Sequence, residues 1–366
     1  MIKFDKSNLE DYARGAALLG AGGGGDPYIG RLLAEQAISE YGSPKVISVE
    51  ELADDATVIS IAMIGAPTVL VEKACSGNDL DLLIDEMSRQ LGKKIDALMP
   101  IEIGGVNSCL PIVAAARTGL PLVNCDGMGR AFPCLEMVTF NVYGGSISPV
   151  VMTDEHGNAI TIQTDSAVKA EKFARSILSE MGLSGMISCY PMQGEQLKKW
   201  AVRDTMSCAL AIGQSIREGR QTDNAIKSLI TCLDQTQYYS NARVLAEGKV
   251  TDVLRETRDG FSFGHCVISP LVDGEPISLS FQNEFIAAKR NEVFVATVPD
   301  IIAVIDNENA EPITAETLRF GQRVCVIAMD VPAVMRTPEA LKVFGPRCFG
   351  LDCDYQTHES ENSKTN

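Results

Sequence analysis

No Cys-x-x-Cys pair occurs in this sequence, although it holds eleven cysteines. Zinc-ribbon and thioredoxin-like readings have no support, and the scattered thiols read as reduced, buried small side chains. No stretch reaches the roughly 18 consecutive apolar residues that a membrane span needs. The opening residues MIKFDKSNLEDYARG lack an apolar run of signal-peptide length. A cytoplasmic protein with no membrane partner is the expectation. Positive charge is in deficit: 32 Lys and Arg stand against 48 Asp and Glu, a net charge of −16. Nucleic acid and anionic lipid would be repelled, so neither is expected as a partner. Histidine is scarce, with three residues in 366. His156 falls in a turn, His265 in a β-rich run and His358 in a polar tail. No His, Cys and Asp cluster has metal-ligand spacing, so neither a metal nor a cofactor is implied.

Hydrophobic residues make up 45% and charged residues 22%, the composition of a globular protein with a sizeable core. The length suffices for two domains. Residues 7–19 read as a helix ending at Gly20. Asp26-Pro27 then supplies a cap and a first helical position for a second helix running to about Tyr41. Strand, helix, strand, helix, strand follow at 56–65, 78–92, 94–105, 110–119 and 120–127, the pattern of a parallel α/β sheet with right-handed crossovers. Residues 143–166 read as a strand pair around the turn His156-Gly157-Asn158. Helices are expected at 167–182, 194–219 and 223–234. From Arg243 short β-rich runs alternate with turns, which predicts a sandwich or barrel-like β domain. The expected organisation is an α/β domain with a parallel sheet over 1–166, then a helical segment and a β-rich C-terminal domain over 167–366. The tail YQTHESENSKTN is polar and expected to fray.

Four consecutive glycines, Gly22 to Gly25, are costly in chain entropy unless bare backbone is needed there. They join helix to helix. A Rossmann fingerprint follows a strand and a Walker loop ends in Gly-Lys-Ser/Thr, so neither applies. Two readings stay open. Backbone N–H groups of Gly23, Gly24 and Gly25, with Asp26 at the following helix start, would bind an anion such as a carboxylate. Alternatively, the glycines allow a tight, closely packed helix–helix connection.

The densest polar constellation lies at two adjacent strand ends. PIEIGGVNSCLP (100–111) carries Glu102, Gly104, Gly105 and Asn107, and VNCDGMGRAFPCLEM (123–137) carries Asn124, Asp126, Gly127 and Arg130. Sites in α/β sheets gather at such carboxyl ends. Asp126 or Glu102 is the candidate base. Arg130, expected to face the surface from its loop, is the candidate for a bidentate grip on a substrate carboxylate. Asn107 and Gly105 are candidate substrate contacts. The bland reading caps neighbouring helices with the two acids and buries Arg130 in an ion pair. Cys109, Cys125 and Cys134 fall in the same loops and read as inert thiols rather than nucleophiles. FQNEF (281–285) puts Gln282 and Glu284 on one strand face and Asn283 on the other. It would line a site or form a polar sheet face.

The segments LGAGGGGDPYIG, EIGGVNSCLPIVAAARTGLPLVNCDGMGRAFP, FQNEFIAA, ATVPDIIAVID, GQRVCVIAM and GPRCFG resemble the S-methyl thiohydantoin desulfurase-like family. The resemblance runs from about Leu9 to Tyr355. It implies an N-terminal α/β domain, a C-terminal β-rich domain and hydrolysis of an S-methyl thiohydantoin to a hydantoin with loss of methanethiol. It carries over no catalytic residue. Cys134, after RAFP, stands where the family more often has Glu, and Cys125 where it often has a small residue. The reading is a hydrolase of a small cyclic amide or thio-amidine ring, with Asp126 or Glu102 activating water and Arg130 and the glycine amides holding negative charge. The alternative is a non-catalytic ligand-binding or accessory subunit of a hydantoinase/oxoprolinase-like system. A small-molecule substrate, a homo-oligomer and a hydantoinase/oxoprolinase-type partner are compatible with both.

Overall fold

The computed structural model describes residues 2–65, 69, 77–258 and 261–357. His358 and the tail beyond it lie outside the described residues. The chain opens with two helices, α1 (Lys6–Leu19) and α2 (Pro27–Tyr41). Asp5 caps α1 by accepting from the Ser7 and Asn8 amides, and Asn8 closes a capping box. Asp26 caps α2 by accepting from Tyr28 N, with Pro27 in the first turn where its missing N–H costs nothing. The four glycines therefore sit between two well-defined helix boundaries.

The N-terminal domain then supplies β1 (Val46–Ile47), β2 (Thr57–Gly65), α3 (Asn78–Leu91), β3 (Ala97–Pro100), α4 (Leu110–Thr118), β4 (Leu122–Val123) and β5 (Cys125–Asp126). A hairpin of β6 (Val150–Thr153) and β7 (Ala159–Ile162), α5 (Ala167–Leu178), β8 (Ser184–Ser188), β9 (Met192–Gln193) and β10 (Val202–Arg203) follow. The main sheet has the order β1-β4-β3-β2-β8-β6-β7, with β9 also pairing β2. Strands β1, β4, β3 and β2 run parallel, and β8, β6 and β7 add antiparallel pairs. The sheet is thus mixed, with the expected parallel strands in one half.

Two expected elements are broken. The strand over 120–127 divides at Asn124, whose side chain accepts from Met206 N and donates to Asp204 and Ser207. The helix over 194–219 is two helices, Gly194–Trp200 and α6 (Thr205–Arg220). Between them β10 pairs antiparallel with β5, and Asp204 adopts φ 58°, which no helix interior tolerates. Helix periodicity on both sides hid a tertiary pairing that the local sequence does not signal.

After α7 (Ala225–Gln235) come β11 (Arg243–Arg258), β12 (Phe261–Pro270), β13 (Ile277–Gln282), β14 (Glu284–Arg290), β15 (Val293–Thr297), β16 (Ile301–Asp306), β17 (Pro312–Ile313) and β18 (Arg323–Met329). They form one antiparallel sheet of order β15-β14-β13-β12-β11-β18-β16-β17. The sheet curls, so that β14 and β15 come against β16 from the other end of the strand order. Its strands are two-faced. Val324, Val326 and Ala328 of β18 pack with Phe281, Phe285 and Ile268 inside the curl. Cys325, Ile327 and Met329 join Leu9 and Tyr12 in the main core. Period-two alternation on β18 therefore fastens the two domains together.

Candidate active site

A cleft of about 100 Å³ opens where the two domains meet. The glycine loop, Gly22 to Gly25, forms one wall, and Met63 to Gly65 at the carboxyl end of β2 form another. Glu102 and Asn107 come from the loop after β3, Glu171 and Arg175 from α5, and Asn283 and Glu284 from the β13–β14 turn. A volume this small suits a small ligand, since drug-sized sites run to about 300 Å³ and more.

Glu102 is 6% exposed and Glu284 2%. Asn107 fixes Glu102: its Nδ2 donates to Glu102 Oε1 at 2.7 Å, while its Oδ1 accepts from Met63 N at 2.8 Å. Glu284 is held at the glycine loop by a hydrogen bond from the Gly24 backbone. The Oε2 atoms of both glutamates are buried without a hydrogen-bond partner. Burial pushes the Glu102 carboxyl up to about 8, against the Asn107 bond and the pull of Arg130. Burial and repulsion from Glu102 push Glu284 up to about 8 as well, against the pull of Arg130. At neutral pH such a pair is mostly protonated, and around pH 8 it holds one carboxylic acid and offers one carboxylate.

Arg130 is fully buried behind this wall, which corrects the expectation of a surface-facing loop arginine. Its Nη1 donates to Pro299 O at 2.7 Å and Asp300 O at 2.8 Å, and its Nε donates to Ala131 O at 3.0 Å. The guanidinium lies 4.3 Å from the Phe132 ring centroid. Burial lowers its pKa to about 10, which leaves it charged at neutral pH. It supplies buried positive charge to the glutamate pair and does not line the cleft.

Asp126 is also fully buried and off the cleft. Its Oδ2 accepts from Ile103 N (2.9 Å), Met128 N (3.1 Å) and Gly129 N (2.8 Å). It pins the two strand-end loops together and so positions Glu102. Burial raises it to about 7 despite those donors. The two loops do come together, but of their candidate polar residues Glu102 and Asn107 reach the cleft, beside Val106, Phe132 and Pro133. Gly105, at φ 61°, packs its backbone on Gly24 behind the wall, and Asp26 remains a helix cap on a different surface pocket.

The glycine loop is closely packed at the meeting of the two domains. Phe285 N donates to Ala21 O, Ala315 N to Gly22 O and Val106 N to Gly24 O, so the loop is a seam between domains. It also holds a carboxylate, and that carboxylate is the protein's own Glu284. A Cβ on Gly23 would lie 2.0 Å from Glu284 Oε1, and one on Gly22, at φ +89°, would lie 2.4 Å from the Phe285 ring. Gly22→Ala is expected to destabilise by about 1–3 kcal/mol through overpacking. Gly23→Ala displaces Glu284 instead and should weaken ligand binding at the cleft at least tenfold with a smaller fall in thermal midpoint. Paired melting and ligand titration check this ordering, and equal effects on binding would reject it.

The cysteines are inert here. Burial raises Cys109 to about 12 and pushes Cys125 and Cys134 upward too. His265 lies on β12, half exposed, 3.8 Å from Asp252. Sequence reasoning missed Glu171 and Arg175, which look like an ordinary i,i+4 surface pair on a helix, bonded at 2.5 Å. Among the described residues no group of three or more His, Cys, Asp or Glu is arranged to hold a metal ion. Nor is any helix among them long and apolar enough to cross a membrane.

The raised acids make stability depend on pH. Glu102, Glu284, Asp126 and Asp300 titrate near 7 to 8 when folded and about 4 when unfolded. Between those limits the folded state binds more protons. Their contribution is full below about pH 4 and is lost as pH rises to about 8. For each group it amounts to about 1.4 kcal/mol for every tenfold difference in proton affinity between the folded and unfolded states. The thermal midpoint should fall from pH 5 to pH 8, and Glu102→Gln should flatten that fall. A midpoint that climbs over this range would contradict the assignment.

An α/β domain with a mixed sheet, an antiparallel β domain and a cleft at their junction define the class of protein. The chain belongs to the S-Me-THD-like family: the model of its N-terminal domain matches residues 7–164 and that of its C-terminal domain residues 164–358. No curated protein matches the chain. A crystal structure of a protein from Chromobacterium violaceum is similar in fold, with a TM-score of 0.81 at 22% identity, covering 96% of this chain and 98% of that one.

Proposed function

We propose that the protein hydrolyses a small cyclic amide or thio-amidine ring of the hydantoin type, releasing methanethiol from an S-methyl thiohydantoin. The observation that carries this reading is the pair Glu102 and Glu284, buried at one small cleft, each with an unpartnered oxygen and each raised to about 8. One carboxylate takes a proton from water as the water oxygen bonds to the ring carbon bearing sulfur. The other, as the acid, gives its proton to the ring nitrogen. The C–S bond then breaks, the new hydroxyl yields its proton to the carboxylate just formed, and the remaining carboxylic acid protonates the leaving methanethiolate. The pair returns to its starting state with atoms and protons balanced. The buried charge of Arg130 limits the cost of the ionised carboxylate.

The test is incubation of purified protein with S-methyl thiohydantoins and hydantoins, scored for free thiol and ring products. Catalytic thiol release with hydantoin formation supports the reading. A non-catalytic subunit of a hydantoinase/oxoprolinase-type system would bind the ring without turnover, and saturable binding with no thiol would favour that alternative.

A further inference from the structure

The cleft was expected to grip an anionic substrate through Arg130, but its lining is acidic. Among the described residues, Glu102, Glu171, Glu284 and Glu316 line it, against one cation, Arg175. The Arg175 charge is engaged: Nε bonds Glu171 Oε1 at 2.5 Å, and the guanidinium lies 4.0 Å from the Phe261 ring centroid. Glu171 is satisfied in turn, since its Oε2 accepts from Leu135 N at 2.9 Å. Arg130 stands behind the wall, its Nε and Nη1 held by backbone carbonyls and its Nη2 buried without a partner. What remains for a ligand is the pair of unpartnered carboxyl oxygens, Oε2 of Glu102 and Oε2 of Glu284, on groups more than nine-tenths buried. Both are acceptors when ionised, and neither can satisfy an incoming carboxylate without a shared proton.

We infer that the cleft selects its ring in the protonated, amidinium form, a planar cation whose N–H groups donate to Glu102 and Glu284, and that it rejects rings carrying a carboxylate. This deepens the hydrolase reading and rests on it for the site's location. A buried carboxylate pair facing an amidinium gains charge-assisted hydrogen bonds and neutralises its own repulsion. An anion in the same place would add its charge beside a desolvated carboxyl pair and oppose that pair's ionisation. Protonation of the ring also makes its carbon more open to attack by water.

Binding a cation must ionise the pair more completely, so it should release protons. The groups that set this titration are Asp126 and Arg130 beside Glu102, and Arg130 and Glu102 beside Glu284, whose charge also acts on the Cys134 thiol. Asp300 and Tyr239 act on Arg130 from behind. Glu316, Glu171 and Arg175 complete the charged lining.

The experiment is calorimetric titration of the full-length protein with three five-membered rings of one shape. They are 2-amino-2-imidazoline, cationic throughout the range used, neutral 2-imidazolidinone, and anionic 2-imidazolidinone-4-carboxylate. The expected order at pH 7 is cation tightest by at least tenfold, then the neutral ring, then the anion. Cation affinity should rise from pH 6 to pH 9, with buffer-dependent heats that report proton release and no such rise for the neutral ring. Glu284→Gln and Glu102→Gln should erase the preference, and the pH rise in the unaltered protein is a readout that needs no variant to fold. Equal affinities, an anion that binds tightest, or no binding of any ring would overturn the inference. Thiol release from the S-methyl ring is measured separately. Turnover without a cation preference removes this inference alone, and a cation preference without turnover removes the hydrolase reading alone.

Discussion

Glu284→Gln should lower thiol release from an S-methyl thiohydantoin by about 10²- to 10⁴-fold, the range that a positioned acid or base supplies. The amide keeps the shape of the carboxyl, and so keeps the packing against Gly23 that fixes this side chain. It loses the titrating proton. The fall should therefore appear in kcat, with the thermal midpoint little changed at pH 7. Glu102→Gln should cost a similar factor. The double variant should be scarcely worse than the poorer single one, because the two groups pass protons within one cycle. The pH profile is a sharper readout. Thiol release by the unaltered protein should show a narrow bell centred near 8, whose limbs belong to the pair rather than to either residue. In Glu102→Gln the negative neighbour that raises Glu284 is gone, so the residual limb should move to lower pH. Native-level turnover in either variant would remove the acid–base assignment.

Much of this site was legible in the chain, and the missing part has a physical cause. Glu102 and Asn107, which line the cleft, are marked in the sequence because they stand between glycines at a strand end, where α/β sheets place their ligands. Asp126 was found by the same rule, yet its carboxylate turned inward onto three amides. Spacing along a strand end marks polarity and does not tell a ligand contact from a loop staple. Glu284 was visible in FQNEF as a polar residue on a strand but carried no signal of a partner. It meets Glu102 only because β14 docks on the glycine loop, through the Phe285 amide and Ala21 carbonyl. That is a contact between domains, which local pattern does not encode. The β-rich texture after Arg243 was legible because period-two alternation is local, as on β18. The mixed character of the first sheet was not, because strand direction depends on which neighbour a hairpin finds.

Arg130→Ala should unfold or nearly unfold the protein, the reverse of what a surface substrate ligand would do. The side chain is fully buried, and three carbonyls, Ala131, Pro299 and Asp300, rely on it for their partner. Each buried carbonyl left unpaired costs about 1–3 kcal/mol. Glu284 and Glu102 would also lose the positive charge that favours their ionised forms, and truncating one member of a buried charged set costs about 3–5 kcal/mol. The ring of Phe132 would lose the guanidinium against which it packs. A loss of this size lowers a midpoint by about 2–4 °C per kcal/mol in domains of 150–250 residues, enough to send much of the product into aggregates at growth temperature. Arg130→Lys gives the second arm. It keeps the charge but cannot fork to both Pro299 and Asp300 as a planar guanidinium does, so it should fold with a lowered midpoint and keep an activity optimum close to the native one. Expression yield, melting and the pH profile of the lysine variant measure these effects together. A soluble, native-like Arg130→Ala protein that had lost only ring affinity would show that the guanidinium reaches the ligand, and the acid pair would then have to be read as its counter-ions rather than as the catalytic groups.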